Sequence, residues 1–112
     1  MQRNLDRTLA ALADPTRRAV IDLLRRKPRR ASEIADALDM SRPATSRHLK
    51  LLRKTGLVAN AELESDARVR VYTLERLPFT ELRSWLEEVE AFWGAQLASF
   101  KERAERRPRG GT

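Results

Sequence analysis

Hydrophobic positions recur along the chain with two periods, and the change of period divides it. Leu5, Leu9 and Leu12 follow i, i+4, i+7 spacing and predict a first helix with one apolar face. Asp14-Pro15 then restarts the chain, because an aspartate cap followed by a proline at the first helical position marks a helix start. Ala19, Val20, Leu23 and Leu24 supply the buried stripe of this second helix. It is expected to end near Lys27, since Pro28 disfavours helical backbone in the residue before it. Ser32 precedes Glu33, Ile34, Ala35 and Leu38, a third helix of about two turns. After the brief connection Asp39-Met40-Ser41, Ser41 caps a fourth helix with Pro43 in its first turn. Thr45, Leu49 and Leu52 share one face of it, with His48 at the margin, and Gly56 ends it as a left-handed cap.

From Leu57-Val58 the backbone is expected to be extended, and the period becomes two between Leu63 and Leu74. Val69, Val71 and Thr73 fall on one side, and Arg68, Arg70 and Tyr72 on the other. The polar tip Glu64-Ser65-Asp66-Ala67 lacks an Asn-Gly type turn and predicts a hairpin loop of about four residues. Pro78-Phe79 opens the longest helix, running to about Ala104 with Phe79, Leu82, Leu86, Val89, Trp93, Leu97 and Phe100 at i+3/i+4 spacing. Trp85 and Phe92 widen its stripe. The chain is therefore expected to be mainly α with a small β-hairpin, in the order α-α-α-α-β-β-α. Residues 1–105 are read as one domain and 106–112 as a basic, flexible tail.

A short helix, a tight turn, a longer basic helix and a hairpin make a winged helix-turn-helix. The major groove of DNA, about 12 Å wide, admits one α-helix. Such a helix needs an apolar face to anchor it and an acid-free polar face to approach phosphates. With Thr45 as reference, Leu49 and Leu52 fall near it at about 40° and 340°, while Arg47 and Lys50 lie opposite at about 200° and 140°. The groove-facing set is Arg42, Pro43, Ser46, Arg47 and Lys50, with Ser41 at the helix tip. Arg47 is the first candidate for a base contact, since arginine can bridge guanine O6 and N7. Lys50, Arg53 and Lys54 are candidates for phosphate contacts, which position without specifying. Arg68 and Arg70 on the hairpin can enter the minor groove or sit on the backbone, or simply keep a strand edge charged.

Charge sharpens this picture. The 112 residues carry 23 Lys+Arg against 16 Asp+Glu, a formal net charge of +7 that calls for an anionic partner. From Ser41 to Gly56 there are five cations (Arg42, Arg47, Lys50, Arg53 and Lys54) and no acid. Cysteine is absent and His48 is the single histidine, which excludes disulfides, thiol nucleophiles, iron–sulfur ligation and two-histidine metal sites. Glycine occurs four times, at Gly56, Gly94, Gly110 and Gly111, so no phosphate-cradling loop exists and an enzyme is not expected. The longest apolar run, Leu9 to Ala13, is far too short for a membrane span, and Met1 to Asp6 lacks the apolar core of a secretory signal. The cytoplasm is the expected location.

Ala13-Asp14-Pro15-Thr16-Arg17-Arg18, the motif Ser41-x-x-x-x-Ser46-x-His48-Leu49-Lys50-x-Leu52 and Gly56-Leu57-Val58 together resemble the ArsR/SmtB family of bacterial repressors, over about residues 3–104. The resemblance implies a homodimeric repressor on a palindromic DNA operator, with the first and last helices as the dimer interface. His48 matches the motif histidine and is expected to be half-buried, supporting the recognition helix within reach of a phosphate. Many members of the family sense metals through cysteines on the third helix or Asp/His/Glu clusters on the last. Here Arg30 to Asp36 holds no thiol, and Glu81, Glu87, Glu88 and Glu90 have no histidine beside them. Carboxylates alone bind hard ions weakly unless clustered. The chain is thus similar to the metal-free branch, with no cofactor expected and the effector unknown.

Five of the six aromatics, Phe79, Trp85, Phe92, Trp93 and Phe100, lie in the last helix, and only Tyr72 does not. Trp85 and Trp93, eight residues apart, point about 80° apart and cannot share one narrow seam. A two-fold contact covering the excess is expected, through Leu5, Leu9, Leu12, Trp85, Val89, Phe92, Trp93 and Leu97. A wide core-facing stripe in a monomer, or an effector pocket beside Trp85 and Phe92, is the alternative use of these rings. At the level of function, the alternative to a repressor is a winged-helix module that docks a protein or senses a small molecule.

Overall fold

In the computed structural model, residues 2–63 and 66–106 are described. The elements are α1 (Gln2–Leu12), α2 (Pro15–Leu24), α3 (Ala31–Ala37), α4 (Arg42–Lys54), β1 (Val58–Leu63), β2 (Asp66–Leu74) and α5 (Arg76–Arg106). This is the expected order: mostly helical, with one two-stranded antiparallel hairpin. The chain forms two compact units, Met1–Thr80 and Glu81–Thr112.

The core of the first unit draws on every element before α5. Ala11 of α1, Val20, Ile21 and Leu24 of α2, Ile34 of α3, Leu49 and Leu52 of α4, Leu57 just before β1 and Val58 at its start form one cluster. Each fully buried Val, Leu or Ile contributes about 1.5–3 kcal/mol of transfer free energy. Leu12, Leu23, Leu38, Tyr72, Leu74 and Phe79 close its edges. Two hydroxyls are buried with it, and both are satisfied within their own helices. Thr8 Oγ1 donates to the Asn4 carbonyl at 3.0 Å and Thr45 Oγ1 to the Ser41 carbonyl at 2.9 Å.

The helix ends follow their local chemistry. Asp14 caps α2, accepting from the backbone N–H groups of Thr16 (2.7 Å) and Arg17 (3.2 Å). Ser41 caps α4, accepting from the Ala44 N–H at 3.2 Å. α2 ends at Leu24, earlier than Lys27, as the chain turns toward Pro28. α3 begins at Ala31 with Arg30 as its cap, and the Glu33 carboxylate accepts from the Arg30 backbone N–H at 2.9 Å. α3 and α4 both end in Schellman turns. In α3, Asp39 N–H bonds the Asp36 carbonyl (3.3 Å) and Met40 N–H the Ala35 carbonyl (2.9 Å). In α4, Gly56 N–H bonds the Arg53 carbonyl (3.1 Å) and Leu57 N–H the Leu52 carbonyl (3.0 Å). Both motifs need a left-handed residue, supplied by Gly56 at φ 82° and by Asp39 at φ 51°.

The hairpin is shorter at its tip than expected. Asp66 and Ala67 belong to β2, and Leu63 faces Asp66, with a register irregularity at Glu62/Leu63. Glu64 and Ser65, and the tail beyond Arg106, lie outside the described residues.

Candidate nucleic-acid interface

α4 is held by one face and open on the other. Thr45, Leu49 and Leu52 are buried, whereas Ser41, Arg42, Pro43, Ser46, Arg47, Lys50, Arg53 and Lys54 are all exposed. The division follows the helical angles laid out along the sequence. His48 is half-buried, as its marginal position predicts. The Arg17 backbone N–H donated to Asp14 holds that carboxyl below its usual range, and the Thr16 N–H and the Arg17 charge act in the same direction.

The turn before α4 is rigid on both sides. The Schellman bonds of α3 end one helix and the Ser41 cap starts the next, so few backbone torsions are left free between them. The base of the hairpin is fixed as well. Arg29, in the link between α2 and α3, exchanges two backbone hydrogen bonds with Tyr72 (Arg29 N–H to Tyr72 carbonyl 3.1 Å, Tyr72 N–H to Arg29 carbonyl 2.7 Å). Glu75 N–H closes the other end on the Leu57 carbonyl at 2.9 Å.

The cross-strand pairs Val58/Leu74, Asn60/Tyr72 and Glu62/Arg70 show how the hairpin leaves the body. Val58 is buried and Leu74 packs on the core, Asn60 and Tyr72 are half-buried, and Glu62 and Arg70 are exposed. Arg70 and Arg68 thus continue the face of β2 that starts on the core with Leu74 and Tyr72, and both are exposed.

α1 divides its apolar residues. Thr8 and Ala11 turn to the core and Leu12 packs at its edge, while Leu5 is half-buried and Leu9 is 39% exposed. Sequence periodicity missed Thr8 and Ala11 because a threonine and an alanine carry little apolar signal. The last turn of α1 is also tied down by two arginines. Arg17 donates to the Ala11 carbonyl from Nε (2.7 Å) and to the Ala10 carbonyl (3.3 Å), and Arg18 to the Leu12 carbonyl (2.8 Å).

In the second unit, α5 leaves its large apolar side chains uncovered. Trp85, Leu86, Val89, Phe92, Trp93, Leu97 and Phe100 are all exposed, Phe92 to 58%, Trp93 to 60% and Leu97 to 68%. The rings of Phe92 and Trp93 meet edge-on, with centroids 5.7 Å apart. Single exposed apolar residues are ordinary, but a run of seven along one helix is the kind of surface that marks an interaction site. Among the described residues, no helix is long and apolar enough to cross a membrane and no group of His, Asp or Glu is placed to hold a metal ion.

Comparison with known proteins agrees with this architecture. Residues 14–60, from the cap of α2 into β1, match the family model described as bacterial regulatory protein, arsR family. The HTH-type transcriptional regulator Rv2034 of Mycobacterium tuberculosis is 36% identical over 100 residues, which cover 89% of this chain and 88% of that protein. The transcriptional repressor SdpR of Bacillus subtilis is 32% identical over 56 residues, covering 50% of this chain and 62% of SdpR. Among solved structures, an ArsR-like transcriptional regulator from Rhodococcus sp. RHA1 superposes with a TM-score of 0.75 at 31% identity, covering 95% of this chain and 97% of that one. These relatives are regulators of transcription and not enzymes. With a helix-turn-helix whose second helix is basic and exposed, a hairpin wing beside it, and this likeness along nearly its whole length, the chain belongs to the ArsR family of DNA-binding transcriptional regulators.

Proposed function

We propose that the protein is a dimeric repressor that lies across a palindromic operator and occludes a promoter. The observation that carries this reading is the open face of α4, on which every side chain expected to meet DNA except the half-buried His48 is exposed and no carboxylate intervenes. Arg47 reads a guanine edge, with Arg42, Pro43 and Ser46 beside it at the groove-facing tip. Lys50, Arg53, Lys54 and His48 meet phosphates, and Arg68 and Arg70 meet the neighbouring minor groove or backbone. The uncovered apolar face of α5, together with Leu9 of α1, supports pairing with a second copy. The kinship with a protein named as a transcriptional repressor supports the sign of regulation.

Selection of bound duplexes from a random pool tests the reading. A recovered motif with two-fold symmetry and half-sites about one helical turn apart is expected. Affinity for it should fall roughly 10³–10⁵-fold between about 50 and 200 mM salt, as for about 6–10 phosphate contacts. Arg47→Ala should relax preference at one base position per half-site, at a cost of about 1–3 kcal/mol. A flat salt response, as for a module that docks a neutral protein surface, refutes the DNA reading. An equal loss on all sequences reassigns Arg47 to a phosphate.

A further inference from the structure

The C-terminal half of α4 and the first residues of β1 enclose an open groove of about 640 Å³, lined by Lys50, Arg53, Lys54, Val58, Ala59 and Asn60. Three of these six residues are cations and none is an acid. The second wall is β1, an element the sequence reading left out of the interface.

Asn60 is set there by strand geometry. Val58, Asn60 and Glu62 alternate onto one face of β1. Val58 is buried at the foot of the groove, and Glu62 lies further out, opposite Arg70. Asn60 falls between them, half-buried beside Tyr72. Of the two positions of this face that line the groove, Val58 and Asn60, Asn60 is the polar one, and its side chain is a neutral amide with two N–H donors, where a carboxylate would cancel one of the three cations.

We propose that this groove carries one phosphodiester strand of the bound duplex, with the Asn60 side-chain amide donating to a phosphate oxygen between the α4 cations and the wing. The inference rests on the DNA-binding reading above and adds a residue and a path to it. Recognition helices read bases mainly from their N-terminal residues, which leaves the last turns of α4 to the backbone. A cationic, acid-free trough that opens onto the exposed face of α4 suits a linear polyanion. Because phosphates are the same on every sequence, Asn60 contributes affinity and register without base preference.

The test measures affinity for the selected operator and for a random duplex over a series of KCl concentrations. Wild type, Asn60→Asp, the double variant Arg53→Gln/Lys54→Gln and Arg47→Ala are compared. Asn60→Asp should weaken both duplexes by the same factor, about tenfold at about 0.1 M salt, and flatten the slope of log K against log salt by about one per protomer. The double variant should flatten it by about two per protomer. Thermal melting by circular dichroism checks folding. If Asn60→Asp does not fold, the double variant decides, since both of its side chains are exposed. Unchanged affinity and slope in the folded groove variants, or a changed base preference in Asn60→Asp, overturns the proposal. If wild-type binding stays salt-dependent and Arg47→Ala still relaxes one base position, the DNA-binding reading survives that result. A salt-independent wild type overturns both.

Discussion

Two residues do the same backbone task with opposite suitability. Gly56 and Asp39 each occupy the left-handed position of a Schellman turn, at φ 82° and 51°. A Cβ built on Gly56 meets nothing within 4 Å, so the cost of a side chain there is conformational and not steric. Gly56→Ala should therefore lower stability by about 1–2 kcal/mol, read as a fall in melting temperature. Asp39→Gly should raise it, by about 0.5–1 kcal/mol, the relief being partly offset by the extra freedom glycine gives the unfolded chain. An unchanged melting temperature in both would mean that neither turn is strained. Two carboxylates carry a pH dependence. The backbone N–H of Arg17 at Asp14 and that of Arg30 at Glu33 hold these groups below their usual ranges. A depressed folded pKa gives stability that is complete above the ordinary carboxylate value and lost as pH falls through the folded one. Between about pH 5 and pH 2 the melting temperature of Asp14→Asn/Glu33→Gln should thus fall less steeply than that of wild type.

At the scale of elements, the two arginines after Asp14 show where motif and structure part. Asp14-Pro15-Thr16-Arg17-Arg18 was legible as a helix start, yet Arg17 and Arg18 reach backwards to cap the carbonyls of α1. Arg17, with a side chain only 16% exposed, also pairs with Asp14 at 3.5 Å. Arg17→Ala should cost about 1.5–3 kcal/mol, the range for hydrogen bonds to a charged group. Arg18→Ala, at an exposed single bond, should cost less. Amide exchange in the last turn of α1 should speed up in the first variant and little in the second. For α4, the sequence was nearly sufficient: an ideal 100° step per residue sorts Thr45, Leu49 and Leu52 from Arg47 and Lys50, and burial follows the same division. For α1 it was not. Its leucines mark an apolar stripe, but the core takes Thr8 and Ala11, whose small side chains let α1 lie close and whose burial no hydropathy pattern announces.

For the whole molecule, the uncovered rings of α5 are the feature that a monomer leaves unexplained. If that face pairs two copies, Phe92→Glu or Trp93→Glu should shift sedimentation from dimer to monomer at micromolar protein. Tight operator binding should go with it, since a single recognition helix engages only one half-site. A wild type that sediments as a monomer removes the basis for this expectation. The Glu substitution is informative because both positions are more than half exposed, so it should leave the fold of the first unit intact.

What the sequence by itself determined is what repeats locally: the caps at Asp14 and Ser41, the left-handed glycine at Gly56, the two periods that separate helices from hairpin, and the acid-free face of α4. Each is set by torsions and hydrogen bonds within a few residues, so each can be read from a few letters. Only the tertiary structure decided which neighbours those elements meet. It set Arg29 against Tyr72, sent Arg17 back to α1, made Arg30 the cap of α3, and brought Asn60 of β1 beside Lys50, Arg53 and Lys54. The reason is that these pairings join elements through chain closure and packing of one shared core, and no periodicity along a single strand or helix encodes the partner on the other side.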